Sequence, residues 1–276
     1  MHYREYAPSP FLRQYIDCYW EHRILNEPGA IAVEQRCLPL GTAEIIIQTN
    51  GDLLHYYLKN EVWERSDRVF ITGLFQETAI WKAEPGSVMF GIRLKPEAFI
   101  GLFGVPAAYL FNQLEDAVPV FGAFAKSCEQ QMSGVNDIRV LIEKAEQLLL
   151  KKLAGLPGKN NVVVNACRLI RASNAVLSLD DICRELYVSP RSLERYFKAQ
   201  FGSGPKLYQR IVRFSKAYST IQAKRNNVIS WADICYDHGY TDQAYFIREF
   251  KTFSGFSPAG FIRETQTFEP SILSVA

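Results

Sequence analysis

The chain contains no uninterrupted run of 18 or more apolar residues, so no membrane-spanning helix is predicted. It also has no Cys-x-x-Cys pair. Six cysteines stand apart at 18, 37, 128, 167, 183 and 235, a pattern of reduced thiols and not of a disulfide frame or a zinc site. The four histidines, His2, His22, His55 and His238, are dispersed. A catalytic metal site needs His and carboxylate ligands gathered together, commonly opening on His-x-His, so neither a metal nor a cofactor is expected. There is no Gly-x-Ser-x-Gly elbow, no phosphate loop and no dinucleotide fingerprint. These absences argue against an enzyme. The opening Met1-His2-Tyr3-Arg4-Glu5 lacks the apolar core of a signal peptide, and with the unpaired cysteines it leads to the expectation of a cytoplasmic protein.

What remains is an ordinary globular composition over 276 residues, 48% hydrophobic and 22% charged, enough chain for two domains. The net charge of +2 is unevenly divided. Residues 159–276 hold 16 Lys+Arg against 10 Asp+Glu, whereas residues 1–158 hold 15 against 19. A basic half joined to an acidic half is a modest sign of a nucleic-acid module attached to something else.

The first half reads as β-rich. Pro10–Trp20 has helical spacing through Leu12, Tyr15, Ile16 and Tyr19. Glu44–Thr49 is a β-branched run, Asn50-Gly51 is a hairpin signal, and Leu53–Leu58 is the expected return strand. Glu61–Trp63, Arg68–Thr72, Thr78–Ala83 and Ser87–Leu94 are further strands, suggesting a compact antiparallel barrel or sandwich. The aromatics Trp20, Tyr56, Tyr57, Trp63, Trp81 and Phe90 suit either a ligand cavity or plain core. After Pro96 the periodicity turns helical, over Pro96–Phe103, Ala107–Phe111, Val118–Gln131 and Asp137–Leu153. Gly155–Asn161 is the best linker in the chain. It divides a domain 1–155 from a domain 156–276, which opens on a helix at Val162–Ala172. Thr265–Ala276 reads as a loose tail.

The second half repeats itself. Ser178-Leu179-Asp180-Asp181-Ile182-Cys183 returns as Ser230-Trp231-Ala232-Asp233-Ile234-Cys235, and Leu193, Arg195, Phe197 and Lys198 return as Phe246, Arg248, Phe250 and Lys251. The offset is 52 before the turn and 53 after it. In each copy a short helix (Leu179–Leu186, Trp231–Asp237) meets a second (Pro190–Gln200, Gln243–Phe253), and Pro205–Lys224 joins the copies. Ser178, Ser230, Ser189 and Asp242 are N-cap residues, with Pro190 at a first helical position. Gly239 supplies the turn of the second copy, where the first has Tyr187. The two units span about 178–200 and 230–253, each burying an apolar stripe and presenting the opposite face of its second helix.

The whole string, ending on Ile234, Gly239-Tyr240, Tyr245-Phe246, Phe250-Lys251, Gly255 and Ser257-Pro258, resembles the double helix–turn–helix module of AraC/XylS-type bacterial transcription regulators from near Val162 to Arg263. It departs from the family at Tyr187, Cys183 and Cys235. More weakly, Cys37–Glu44, Ile71-Thr72-Gly73, Gly91–Pro96 and Leu102–Pro106 resemble an uncharacterised domain found ahead of that module, for which the family context implies a cupin-like barrel. The expected fold is therefore multidomain α+β: a β-rich N-terminal domain, barrel or sandwich with helices, and an all-α C-terminal domain. The resemblance implies promoter DNA as partner, with a small-molecule effector, RNA polymerase and a second copy of the chain as further candidates. An N-terminal domain that only dimerises fits the sequence equally well. Activation versus repression stays open.

Base reading falls to Arg191, Ser192, Glu194 and Arg195 in the first unit and to Gln243, Ala244, Tyr245 and Arg248 in the second. Arg can hold guanine bidentately and Gln adenine, while Tyr245 reads equally as core. Ser189, Lys198, Lys206, Arg210, Thr241 and Lys251 are the phosphate-contact candidates; the alternative for each is a solvated helix face. The competing class is a DNA-repair methyltransferase sharing the DNA module. It needs a four-cysteine zinc centre near its N-terminus, and Cys18 and Cys37 are too few and too far apart.

Overall fold

The computed structural model describes residues 2–26, 34–51, 55–57, 62–154, 161–224 and 229–267. Among these described residues the strands come first: β1 (His2–Tyr6), β2 (Ile16–Arg23), β3 (Gln35–Cys37), β4 (Ala43–Asn50), β5 (His55–Tyr57), β6 (Trp63–Arg65), β7 (Val69–Thr72), β8 (Ala79–Lys82), β9 (Val88–Leu94) and β10 (Leu114–Asp116). A π-helical turn (Phe99–Phe103) and a 3-10 turn (Ala107–Leu110) precede β10. The α-helices of the described residues follow: α1 (Ala117–Phe121), α2 (Ala123–Met132), α3 (Ile138–Ala154), α4 (Val162–Ala172), α5 (Leu179–Glu185), α6 (Pro190–Phe201), α7 (Pro205–Ala223), α8 (Trp231–Asp237), α9 (Gln243–Ser254) and α10 (Pro258–Thr267).

The strands form two antiparallel sheets, one of six strands in the order β1-β2-β9-β4-β7-β10 and one of four in the order β3-β8-β5-β6. The Ile45-Ile46-Ile47 run of β4 shows why the larger sheet is central. Ile45 and Ile47 point into a core shared with Phe90, Ile92, Phe99, Phe121, Leu141 and Leu149, beneath α1 to α3. Ile46 points the other way, into a second core with Trp20, Phe70, Met89 and Trp81 of the smaller sheet. A strand covered on both faces loses the polar–apolar alternation of a half-exposed one. Gly91, in the middle of β9, has a packing role: a Cβ there would lie 1.9 Å from the Trp20 ring.

One charged group sits inside this apolar frame. Arg93 of β9 is buried and donates to Glu44 (Nε to Oε1, 2.7 Å), Glu5 (Nη1 to Oε1, 2.6 Å) and the Tyr3 hydroxyl (2.9 Å). These partners come from β4 and β1, so the ion cluster ties the edge strand to the centre of the sheet. A second buried carboxylate, Glu97, pairs with Arg171 of α4, and Arg171 also reaches the Tyr208 hydroxyl of α7 at 3.3 Å. This pair joins the N-terminal domain to the helical one.

Several expectations need correction. Pro10–Trp20 is not a helix. Residues 10–15 make turns, and Ile16–Arg23 is a strand between β1 and β9. The helical spacing of Leu12 and Ile16 survives only as a single turn, with the Ile16 N–H donating to the Leu12 carbonyl at 2.8 Å; pairing with two neighbours outweighs local propensity. Asn50-Gly51 does not open a hairpin to the next strand, because β5 pairs with β6 and β8 in the other sheet. Gly51 is instead required by close approach, since a Cβ there would meet the Ser87 Cα at 2.7 Å. Val118–Gln131 is two helices broken at Gly122 (φ 55°). Thr265–Thr267 close α10. The linker residues 155–160, most of Leu53–Leu58, Glu61 and residues 268–276 lie outside the described residues, as do the side chains of Tyr56 and Tyr57.

His22 is a buried group with a pH consequence. Its ring stands edge-on to Trp81 at 5.5 Å, it is 0% exposed, and neither nitrogen has a hydrogen-bond partner. Burial pulls its pKa down to about 3 from 6.5. The folded state thus holds His22 neutral while the unfolded chain takes up a proton below pH 6.5. Its contribution is fully present above pH 6.5 and is lost as pH falls toward 3. In urea titrations between pH 7 and pH 4.5, wild type should lose up to ~1.4 kcal/mol per pH unit more than His22→Phe. Parallel stability curves would show that the ring does not titrate this way.

Candidate nucleic-acid interface

Each helix–turn–helix unit is set up by its caps. The Ser178 hydroxyl accepts from the Asp181 N–H at 3.1 Å and the Asp181 carboxylate accepts back from the Ser178 N–H, a complete capping box. Ser230 caps α8 through the Asp233 N–H at 3.3 Å. Ser189 caps α6 by accepting from the Ser192 N–H at 3.1 Å, and Asp242 caps α9 by accepting from the Tyr245 N–H at 2.7 Å. The turns match in conformation but not in residue: Gly239 has φ 65° and Tyr187 has φ 54°. Tyr187 holds the left-handed turn at a steric cost of about 1 kcal/mol or more, and its side chain is 96% exposed.

The second helices, α6 and α9, bury matching stripes, Leu193, Phe197 and Phe201 in one and Phe246, Phe250 and Phe253 in the other. Their opposite faces are exposed. On α6 these residues are Arg191, Glu194, Arg195 and Lys198; on α9 they are Gln243, Ala244, Arg248 and Lys251. Arg195 lies beside the Tyr196 ring at 5.2 Å. Ile247, which sequence reasoning passed over, is exposed on the same face of α9, one turn beyond Gln243. The repeat register would have found it, because the offset of 53 aligns Ile247 with Glu194. An exposed isoleucine in that row suits contact with a thymine methyl.

Other predicted site residues are drawn into the fold. The Ser189 hydroxyl is committed to its cap and also donates to the Ser192 hydroxyl at 2.9 Å. Thr241 donates to Asp242 at 3.4 Å. Tyr245 is half-buried, and its hydroxyl donates to Glu249 at 3.0 Å. Arg210 of α7 donates to the same Glu249 oxygen at 2.6 Å and lies 5.4 Å from the Phe253 ring. Lys206 is exposed at the start of α7. Among the described residues, no group of three or more His, Cys, Asp or Glu is placed to hold a metal ion, and no helix is long and apolar enough to cross a membrane.

Glu249 is 2% exposed, and its second oxygen has no hydrogen-bond partner. Arg210, with 35% of its side chain exposed, is the cation that compensates it. Removing one partner strands a buried charge. Arg210→Ala should therefore cost about 2 kcal/mol of stability, a figure discounted for the exposure of the arginine, whereas Lys206→Ala should change stability by less than ~0.5 kcal/mol. Thermal or urea unfolding of the two variants checks this.

Residues 182–264 match a family described as a helix-turn-helix domain, and residues 4–116 match a domain of unknown function, DUF6597. The arabinose operon regulatory protein of Escherichia coli (strain K12) is 29% identical over 127 residues, which is 44% of this chain and 42% of that protein. The chain thus aligns with less than half of that relative's length. The Msm operon regulatory protein of Streptococcus mutans is 23% identical over 268 residues, 95% of this chain and 89% of that protein. Among solved structures, ToxT from Vibrio cholerae is similar with a TM-score of 0.48 at 12% identity, over 89% of this chain and 97% of that one. A doubled, capped helix–turn–helix with two exposed basic faces, matched by a helix-turn-helix model over 182–264 behind a DUF6597 match over 4–116, makes this chain similar to the regulatory proteins of the arabinose and Msm operons.

Proposed function

We propose that the chain is a one-component transcription regulator. Residues 156–276 bind promoter DNA, with α6 and α9 entering successive major grooves about one helical turn apart. Residues 1–155 bind a small-molecule effector or pair two copies, and RNA polymerase is a further partner of the DNA-bound chain. The protein acts in the cytoplasm, catalyses no reaction and needs no cofactor. The observation that supports this best is the register between the units. Arg195 and Lys198 stand in the first where Arg248 and Lys251 stand in the second, all four exposed on the outer faces of the second helices. Arg191 and Gln243 extend these rows toward the helix starts, where base contacts concentrate.

Two spaces are available to a guest of the N-terminal half. One, of about 30 Å³, lies between the sheets and is walled by Trp20, Ile46, Phe70, Phe75, Trp81 and Met89. It has room for about two waters, so a larger guest must displace a side chain. The other, of about 100 Å³, opens between the domains and is edged by Asp17, Lys95, Arg171 and Lys216.

Arg195→Ala and Arg248→Ala should each weaken specific binding by about 1–3 kcal/mol if each makes a bidentate base contact. Equal losses on a selected site and on random duplex would make them phosphate contacts. With about five phosphates neutralised, log affinity should fall against log salt with a slope of roughly −4.5. Titration of labelled duplex at several salt concentrations measures both quantities, and a flat salt response would remove the DNA-binding reading.

A further inference from the structure

The N-terminal domain holds the two helix–turn–helix units at matching points. Gly202 (φ 76°) ends α6, and its repeat equivalent Gly255 (φ 82°) ends α9. A Cβ on Gly202 would stand 2.9 Å from the Phe111 Cβ and 3.4 Å from the Ala108 Cα. A Cβ on Gly255 would stand 3.7 Å from the Arg36 guanidinium, which also lies 4.6 Å from the Phe256 ring. Thr78 adds a hydrogen bond, its hydroxyl donating to the Phe253 carbonyl at 2.8 Å. Around these points Leu74 joins the core of the first unit and Leu38 joins that of the second.

Both reading helices are therefore gripped at their C-terminal ends, which leaves their N-terminal ends free. The two grips are joined over a short distance. Leu74 and Thr78 are four residues apart, and the stretch between them is tied to the segment after the 3-10 turn: the Asn112 N–H donates to the Leu74 carbonyl at 2.9 Å and the Gln76 N–H to the Asn112 side chain at 2.9 Å. Between the units themselves, α7 is supplemented by Arg213, which donates to the Ala175 carbonyl at 3.4 Å and lies 5.6 Å from the Tyr240 ring.

We infer that this clasp sets which spacing of DNA half-sites the two reading helices accept, with Arg36 and Thr78 as the spacing-determining residues on the second unit. The inference rests on the DNA-reading function proposed above. One inserted base pair moves a half-site by about 3.4 Å and turns it by about 35°. A unit held at the far end of its reading helix cannot follow that displacement, and a released unit can. Phe75 and Ala79, which wall the inter-sheet space, lie in and beside the bridging stretch, so a guest there would act on the clasp directly.

The test uses the full chain. Duplexes are selected from a randomised pool with wild-type protein, and the enriched site is remade with one base pair inserted or deleted between its halves. Losing one bidentate contact weakens binding roughly 5- to 150-fold, so wild type should bind the respaced duplexes about tenfold or more weakly. Arg36→Ala combined with Thr78→Val should cut that penalty to about threefold or less. Thr78→Val alone, nearly isosteric and lacking only the one hydrogen bond, should cut it part of the way, and it carries the comparison if the double variant melts. An unchanged penalty in the variants, or a wild type indifferent to spacing, overturns the inference. Enrichment of no sequence at all would remove the DNA-reading function, and this inference with it.

Discussion

Helix α7 is the element on which the C-terminal half depends, because it serves two cores at once. Tyr208 and Val212 complete the core of the first unit with Leu193, Phe197 and Phe201. Ile211, Phe214, Ala217, Tyr218 and Ile221 complete the core of the second with Ile234, Phe246 and Phe250. Neither unit has enough apolar surface of its own to close a core, since each contributes only two short helices around a turn. The shared helix solves this by lending residues to both cores. It also receives the N-terminal domain: Gly41 approaches so closely that an added Cβ would stand 3.1 Å from Ile211.

Buried ion pairs recur at the joints of this architecture. Arg93 with Glu44 and Glu5 ties three strands, Glu97 with Arg171 ties the two domains, and Arg210 with Glu249 ties α7 to α9. Pairs of this kind add little net stability, because desolvation offsets most of the Coulombic gain. Their effect is on geometry: each stranded partner would be costly, so the elements must meet in one register. The arginines differ in the same way: Arg191, Arg195 and Arg248 are exposed on the outer faces of α6 and α9, whereas Arg210 spends its Nε–H on Glu249 and lies against Phe253.

The two halves differ in how local their signals are. The helix–turn–helix units were legible almost residue by residue. Serine and aspartate caps, Gly239 at the turn and the Leu193/Phe197 and Phe246/Phe250 pairs all act within a few residues, and the doubled pattern restates each one. The sheets were legible as strands but not as an arrangement. Nothing within residues 10–20 announces that Ile16–Arg23 will lie between β1 and β9, and Asn50-Gly51 carries the usual signature of a hairpin that is not made.

The sequence by itself determined the existence and order of the helices from α4 to α9, the caps that start them and the basic faces of α6 and α9. These follow from short-range hydrogen bonding and from 3.6-residue periodicity, both of which are written locally. Tertiary structure alone decided the pairing of strands far apart in the chain, the burial of Arg93 and the capture of Arg210 and Tyr245 by Glu249. It alone brought Arg36, Thr78 and Phe111 against the ends of α6 and α9. The physical reason is the same in each case. A side chain's donors and apolar surface are known from its type, but which partner satisfies them depends on contacts between residues far apart in the chain, and those are settled only when the whole chain packs.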